Sequence, residues 1–469
     1  MKIRNLVHSL LVASAGCLAL TAQASDLAEV YQRALQNDPQ IREAEANRLA
    51  AMERKPQARS ALLPQVEASA GYQDRESDGS SVFVTTIDGE LRPLTRLTEA
   101  DTETETWDVT LRQSIFRWEN WANLRRADRQ VAQAEVDYQA AQQQLILRTS
   151  EAYFNVLAAK DTLTAAEAAH EAFRRQLEQA EKRFEVGLIA ITDVQEARAA
   201  YDSATAAMIL ANRSLANQQE VLRELTGETF DVLARPSDKV QPVAPDPAVE
   251  DDWVKLALDQ NLELISARIG TDITREDISI QQGGHYPSVD FYVSRSNRDA
   301  TGTLVLIDPL TGRSTGPNDS ESDDTVFGFE LTVPIYTGGS TSSRVREAEY
   351  RHRASRERLE RVARETERST RDAFLGVMSE MARVKSLRQA VASTRVALEA
   401  TEAGYEVGTR TQVDVLEARR RLFEAETNYA RSRYDYLINL LRLQRAAGTL
   451  EPDRLARINS QLDELVTLR

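Results

Sequence analysis

The 469-residue chain reads as mainly α with a small β part, and as built twice over. One observation is a gapless repeat. Phe184-Glu-Val-Gly-Leu-Ile-Ala-Ile-Thr-Asp-Val-Gln-Glu-Ala-Arg198 aligns on Tyr405-Glu-Val-Gly-Thr-Arg-Thr-Gln-Val-Asp-Val-Leu-Glu-Ala-Arg419, and the offset of 221 residues holds to Gly227 and Gly448. A repeat of this length makes half the chain the structural unit. A second observation is a sustained three-four alternation of apolar and small residues, the seam of a coiled coil. The third is a set of short period-two stretches at matching places in the two copies.

Residues 1–24 carry a basic start, an apolar run from Leu6 to Thr21 and the small-residue site Ala22-Gln-Ala24. That is the layout of a secretory signal, cleaved after Ala24. The one cysteine, Cys17, lies inside it. A lipid-anchoring reading of Ala15-Gly16-Cys17 stays open, although Ser14 stands where an aliphatic residue is wanted. Plain cleavage leaves a mature chain without cysteine, which excludes a disulfide framework. The formal charge is −15, and −17 once Lys2 and Arg4 leave with the signal. An acidic exported chain is a poor nucleic-acid binder. With no mature run approaching ~18 apolar residues, it has no membrane-spanning helix. It is either soluble outside the cytoplasm or crosses an outer membrane as β-strands.

The first copy is expected over 25–227: a helix at 26–60, a strand pair within 62–116, a long helix at 118–184, a tip turn at 185–193 and a return helix at 192–226. A Pro-rich connector follows at 228–249. The second copy, 250–448, repeats the order with a helix at 250–282, a strand pair within 286–337, a long helix at 341–404, a tip turn at 406–414 and a return helix at 412–447. Residues 449–469 form a polar, weakly amphipathic tail, placed outside the main bundle. The seam runs through His170, Phe173, Leu177, Ala180 and Phe184, and through Val391, Thr394, Leu398, Thr401 and Tyr405. It continues on the return arms from Val194 and Ala197 to Leu222, and from Val415 and Ala418 to Leu443. At about 1.5 Å per residue each long helix reaches on the order of 100 Å. Two shorter helices stacked end to end match each one, which predicts an elongated body.

In the strand regions Val66, Ala68, Ala70 and Tyr72 alternate with polar residues, as do Trp107, Val109 and Leu111. Pro287–Ser294 and Phe327–Tyr336 are their counterparts. Alternation over ~10 residues suits a strand crossing a bilayer. The polar stretches 74–104 and 295–325 read as long exposed loops. Soluble hairpins capping a coiled coil remain the alternative. Four strands cannot close a membrane barrel, which takes about eight, so spanning requires several chains.

At the tips, Gly187 and Gly408 fall where a left-handed residue ends a helix. Asp193 and Asp414 open the next helices, with Glu196 and Glu417 three residues on, the spacing of a capping box. Asp414 and Glu417 also have the spacing for stacked carboxylate rings in a symmetric pore. Catalysis has little support. His8 leaves with the signal, His170 is a seam residue, and His285 and His352 are isolated. There is no metal-ligand spacing, phosphate-binding loop or nucleophile–base set, and no cofactor is expected. Arg419-Arg-Arg421 and Arg351-His-Arg353 read as solvated helix faces.

With these residues in place the chain resembles the TolC-type outer-membrane efflux channels. The matching runs include Leu62-Leu-Pro-Gln65, Gln113-Ser-Ile-Phe116, Ala152-Tyr-Phe-Asn-Val-Leu157, Leu331-Thr-Val-Pro-Ile-Tyr-Thr-Gly-Gly339 and Tyr434-Asp-Tyr-Leu-Ile-Asn439, together with both tip segments. The resemblance implies a homotrimer whose pooled strands form a twelve-stranded transmembrane β-barrel, four from each chain, above a long coiled-coil α-barrel in the periplasm. It implies the exit duct of a tripartite efflux pump or type I secretion system, passing drugs, toxic small molecules or polypeptides. The implied partners are a periplasmic adaptor, an inner-membrane pump or ABC secretion transporter, and outer-membrane lipid. Asp414 and Glu417 match the entrance carboxylate rings. Tyr405 and Arg410 match gate residues that reach the other hairpin, Gln176, Thr192 and Asp193 match their acceptors and neighbours, and Glu402 is a further member. Val186, Gly187 and Leu188, with Val407, Gly408 and Thr409, match the adaptor-docking tips. Glu417 departs from the family pattern, which has aspartate there, and Thr409 replaces a leucine. The competing class is a periplasmic structural or adaptor protein.

Overall fold

The computed structural model describes residues 25–237 and 242–468. The expected signal, residues 1–24, and part of the expected connector lie outside the described residues. Helices α1 (Leu27–Asn37), α2 (Pro39–Met52) and α3 (Arg54–Ser60) lead into strands β1 (Gln65–Ile87) and β2 (Glu90–Phe116), then helices α4 (Trp118–Glu185) and α5 (Ile191–Thr226). Strand β3 (Val232–Pro236) precedes helices α6 (Glu250–Gln260) and α7 (Leu262–Gly283), and strands β4 (Ser288–Asp308), β5 (Gly312–Pro317) and β6 (Ser320–Thr332). Helices α8 (Ser340–Glu406), α9 (Gln412–Ala446) and α10 (Pro452–Asn459) follow, then strand β7 (Leu462–Thr467). The chain divides into two compact units. One takes in the residues up to Ala44 with Gln139–Asn261 and Glu365–Arg469, and the other Glu45–Tyr138 with Leu262–Arg364.

The first unit is built on the helical seams. In α5 the buried positions include Val194, Ala197, Ala204, Ala211, Leu215 and Leu222, and in α9 Val415, Leu422, Ser432, Tyr436 and Leu443. The three-four spacing of these residues puts them on one stripe of each helix. Tyr153, Phe154, Leu145, Leu157, Tyr434 and Leu441 are almost fully buried in the same unit. Residues 26–60 are not one helix. Pro39 has no N–H to donate and pushes Asp38 to extended backbone (ψ 121°), so α1 stops there. Asp38 is buried and receives a 2.5 Å ion pair from Arg148.

The second copy breaks in the same way at Asn261, also at ψ 121°. No proline marks this break. The Asn261 side chain donates to the Ala446 carbonyl at 2.9 Å, just as Asn37 donates to Thr226 at 2.7 Å. Gly448 (φ +76°) lets the end of α9 approach this point, since a Cβ there would lie 2.1 Å from the Gln260 carbonyl oxygen. The tail is more ordered than its polarity implies. Leu455 and Ile458 of α10 are buried, and β7 pairs antiparallel with β3. Arg235 ties this small sheet to Glu464 (2.9 Å) and to Asp161 (3.2 Å), and Tyr434 donates to Asp161 at 2.7 Å.

The second unit holds an antiparallel sheet in the order β1-β2-β4, with β6 and β5 pairing successive stretches of the far side of β4. The stretches expected as loops, 74–104 and 295–325, are largely strand. β1 and β2 stay in register from Gln65↔Arg112 to Ile87↔Glu90 around the turn at Asp88 and Gly89. In the second copy strand structure ends at Thr332, short of the expected Tyr336. Register puts Val66, Ala68 and Ala70 opposite Leu111, Val109 and Trp107, and carries this face on through Val293 to Phe327. Most of these apolar side chains are exposed, Val66 at 67% and Phe327 at 77%, while Leu111 and Val293 are half-buried. Farther along the same face Asp74, Glu76 and Asp78 stand opposite Glu103, Asp101 and Glu99. Like charges directly opposite cost stability unless water or counter-ions screen them.

Candidate functional site at the hairpin tips

Both hairpins close with the same backbone turn. Gly187 (φ +74°) and Gly408 (φ +79°) take the left-handed conformation. Leu188 N–H then reaches the Arg183 carbonyl at 2.9 Å, and Thr409 N–H the Gly404 carbonyl at 2.8 Å. This is the six-to-one closure that satisfies the last free carbonyls of a helix. A shared ion pair braces both hairpins behind the turn. Arg198 pairs with Glu181 at 2.8 Å, and 221 residues later Arg419 pairs with Glu402. Arg419 is therefore an inter-arm brace and not a solvated face.

The helix starts differ. Thr411 is the N-cap of α9: its Oγ1 accepts from Asp414 N–H at 3.2 Å, while Asp414 Oδ2 accepts from Thr411 N–H at 2.8 Å. The capping box thus runs from Thr411 to Asp414, one turn ahead of the Asp414–Glu417 spacing. In α5 the N-cap is Ala190, which offers no side-chain oxygen, so Asp193 lies in the first turn without a box. There it only complements the positive helix end. The Thr411 backbone N–H, then its hydroxyl, then the charge of Arg410 hold the Asp414 carboxyl below the usual aspartate range. Glu417 is also lowered, chiefly by its bond from Arg420. It receives Arg420 at 2.5 Å and Arg421 at 3.2 Å. Both carboxylates are therefore ionised at neutral pH.

The other expected gate residues are placed as follows. Tyr405 reaches the first hairpin, where its hydroxyl accepts from Arg183 at 3.0 Å; it donates in turn to Gln412 Oε1 at 2.7 Å. Arg410 makes no hydrogen bond to Gln176, Thr192 or Asp193 among the described residues. Its stem folds over Gly404, where an added Cβ would meet Arg410 Cγ at 2.8 Å. Gln176 is buried, and Thr192 is exposed. Val186, Leu188 and Val407 are exposed at the turns, each at 68% or more. Thr409 Oγ1 turns back to the Gly404 carbonyl at 3.0 Å. A groove of about 640 Å³ runs between α4, α5 and α9, lined by Phe173, Ala200, Ala204, Val413 and Phe423, with Glu417 and Arg420 among its lining.

Arg183 and Gln412 were not among the residues singled out from the sequence. The repeat carries a signal for Gln412, because Tyr405 and Gln412 stand where the first copy has Phe184 and Ile191. Elsewhere, His170 packs tilted against Tyr201 with ring centroids 5.0 Å apart, and His352 Nδ1 bonds Thr274 at 3.1 Å. Among the described residues no His, Cys, Asp and Glu side chains gather into a metal-holding group. No described helix is long and apolar enough to cross a membrane.

The family described as "Outer membrane efflux protein" matches residues 30–228 and 253–449. The outer membrane protein TolC of Vibrio cholerae serotype O1 is 36% identical over 465 residues, 98% of this chain and 99% of that protein. The alkaline protease secretion protein AprF of Pseudomonas aeruginosa is 28% identical over 453 residues, 96% of this chain and 90% of its own length. Among solved structures, the outer membrane protein VceC from Vibrio cholerae superposes with a TM-score of 0.70 at 20% identity, covering 90% of this chain and 96% of that one. The shared fold joins long helices to a β domain. The chain belongs to the outer membrane efflux protein family, whose members are ducts of the Gram-negative outer membrane rather than enzymes.

Proposed function

We propose that the chain is one protomer of a homotrimeric exit duct, which passes cargo from a periplasmic adaptor and its inner-membrane transporter to the exterior. The observation that carries this reading is the one-sided, open sheet. Among the described residues β1 pairs only with β2, and β5 and β6 pair only with β4, so both sheet edges are free there. Hydrocarbon tolerates no unpaired edge, and a sheet of this width is too small to close on itself. Three copies, each giving β1, β2, β4 and the β5–β6 edge, make a closed barrel of twelve strands. The exposed band of Val66, Trp107, Val109 and Phe327 then faces lipid, and the acidic pairs beyond it stand in water.

The helical tips form the entrance. Three-fold symmetry turns Asp414 and Glu417, one helical turn apart, into stacked carboxylate rings that favour cations. Gln176, Thr192, Asp193, Glu402, Tyr405 and Arg410 surround the tips, and among them Tyr405 is bonded across to the first hairpin, through Arg183. Exposed Val186, Leu188 and Val407 offer the adaptor an apolar footing around Gly187 and Gly408, with Thr409 making the two tips unequal. Cargo includes drugs and small toxic molecules, in keeping with an efflux family, and polypeptides, in keeping with the name of AprF, an alkaline protease secretion protein. The transporter is a pump or an ABC secretion transporter, and the duct needs no cofactor.

The test is the current through the purified mature protein in a planar bilayer. A small, cation-preferring conductance is expected. Folded, membrane-inserted protein that passes no current would overturn the proposal.

A further inference from the structure

We infer that Arg183, Tyr405 and Gln412 form a clasp between the hairpins, and that Arg183 is a positioning residue of the entrance. The inference rests on the duct reading above. Arg183 occupies the last turn of α4. Its guanidinium donates to the Tyr405 hydroxyl at 3.0 Å, and its central carbon lies 5.3 Å from the ring centroid. One cation thus uses both the edge oxygen and the face of the ring. Tyr405, in the last turn of α8, donates to Gln412 at 2.7 Å. Gln412 opens α9 and is only 4% exposed. Three helix ends therefore meet at one phenol.

The bonds in this set depend on one another. The Gln412 amide nitrogen is buried without a partner, so Tyr405 supplies the polar contact made by that side chain. Removing the phenol leaves a buried amide unsatisfied on both atoms, which penalises the closed arrangement. Nor can the clasp arise in the first copy. At the equivalent positions Tyr405 is Phe184, Gln412 is Ile191 and Arg183 is Gly404. It is a link from the second tip to the first, at the place where the hairpins must part for cargo to enter. Arg410 is turned onto Gly404 and leaves this contact to Arg183.

Hydrogen exchange over residues 402–414 of the full-length protein in detergent reads the clasp without any current. Arg183→Ala and Tyr405→Phe should each speed exchange by about fivefold to tenfold. The double variant should be no faster than the faster single one, and Arg183→Lys, which keeps a charged donor, should recover part of the protection. Unchanged exchange in both single variants, or effects that multiply in the double, would overturn the clasp. Planar-bilayer recording then reads its role, with Arg183→Ala expected to raise the closed-state conductance severalfold. Faster exchange with wild-type conductance would make the contact structural and overturn the gating role. Current in Asp414→Ala/Glu417→Ala but no rise in Arg183→Ala defeats the clasp as a gate and leaves the duct standing. Silence from every folded variant removes the duct and the gating role together.

Discussion

At the first tip Ala180, Val194 and Ala197 close on Leu177 and Ile189, and the return helix starts from Ala190 without a side-chain cap. At the second tip the same backbone is held by the Thr411–Asp414 box, the Tyr405–Gln412 bond and the pairs from Glu417 to Arg420 and Arg421. Position by position, Phe184, Ile189, Ala190 and Ile191 become Tyr405, Arg410, Thr411 and Gln412. Duplication kept the turn glycines and the Glu–Arg brace, and changed what fastens them. Apolar packing resists separation in water, whereas exposed hydrogen bonds exchange with water at little net cost. One tip is thereby fastened by exclusion of water and the other chiefly by exposed polar bonds, with the Tyr405–Gln412 bond half-buried among them.

The largest effect should come from overpacking the apolar tip. Ala180 is 1% exposed, so Ala180→Leu should cost about 1–3 kcal/mol in unfolding experiments. Its counterpart Thr401 is only partly buried, and Thr401→Leu should stay within about 0.5 kcal/mol. Equal costs would erase the distinction. Next in size is the cap. Thr411→Ala should cost about 1 kcal/mol, and Ala190→Thr, by completing a box with Asp193, should slow amide exchange at the start of α5. Smaller still, breaking Glu181–Arg198 or Glu402–Arg419 should cost less than about 1 kcal/mol and alike in both copies. Double-mutant cycles would measure it.

Acid should do little until well below neutrality. The folded-state values of Asp414 and Glu417 are depressed, so what their charges contribute is present above the unfolded values and lost as pH falls through the folded ones. Conductance should therefore hold from pH 7 to 5, and change only below about pH 4. A step between pH 7 and 5 would point to other groups.

Much of the fold was legible in the sequence. Three-four spacing locates the buried stripe of α5 and α9, because a helix repeats its face whatever it packs against. The turn glycines mark where the long helices end, since those positions require left-handed backbone. What escaped depends on distant partners. Asn261 breaks a helix through a bond to Ala446, with no local breaker. The strands run on through Asp74, Glu76 and Asp78, whose low strand propensity reads as loop until β2 pairs with them. β7 is short and only half apolar, and exists through β3. At the site, carboxylate spacing was readable from the chain. The Arg183–Tyr405 bond joins residues 222 positions apart, beyond the reach of any local pattern.

We propose that the second tip, and not its apolar twin, controls the entrance. The most direct test compares planar-bilayer currents of the wild type, Asp414→Ala/Glu417→Ala and the matched first-tip variant Glu196→Ala. The double variant should conduct more and lose cation preference, while Glu196→Ala should keep both wild-type properties. The same change in Glu196→Ala, or none in the double variant, would contradict it.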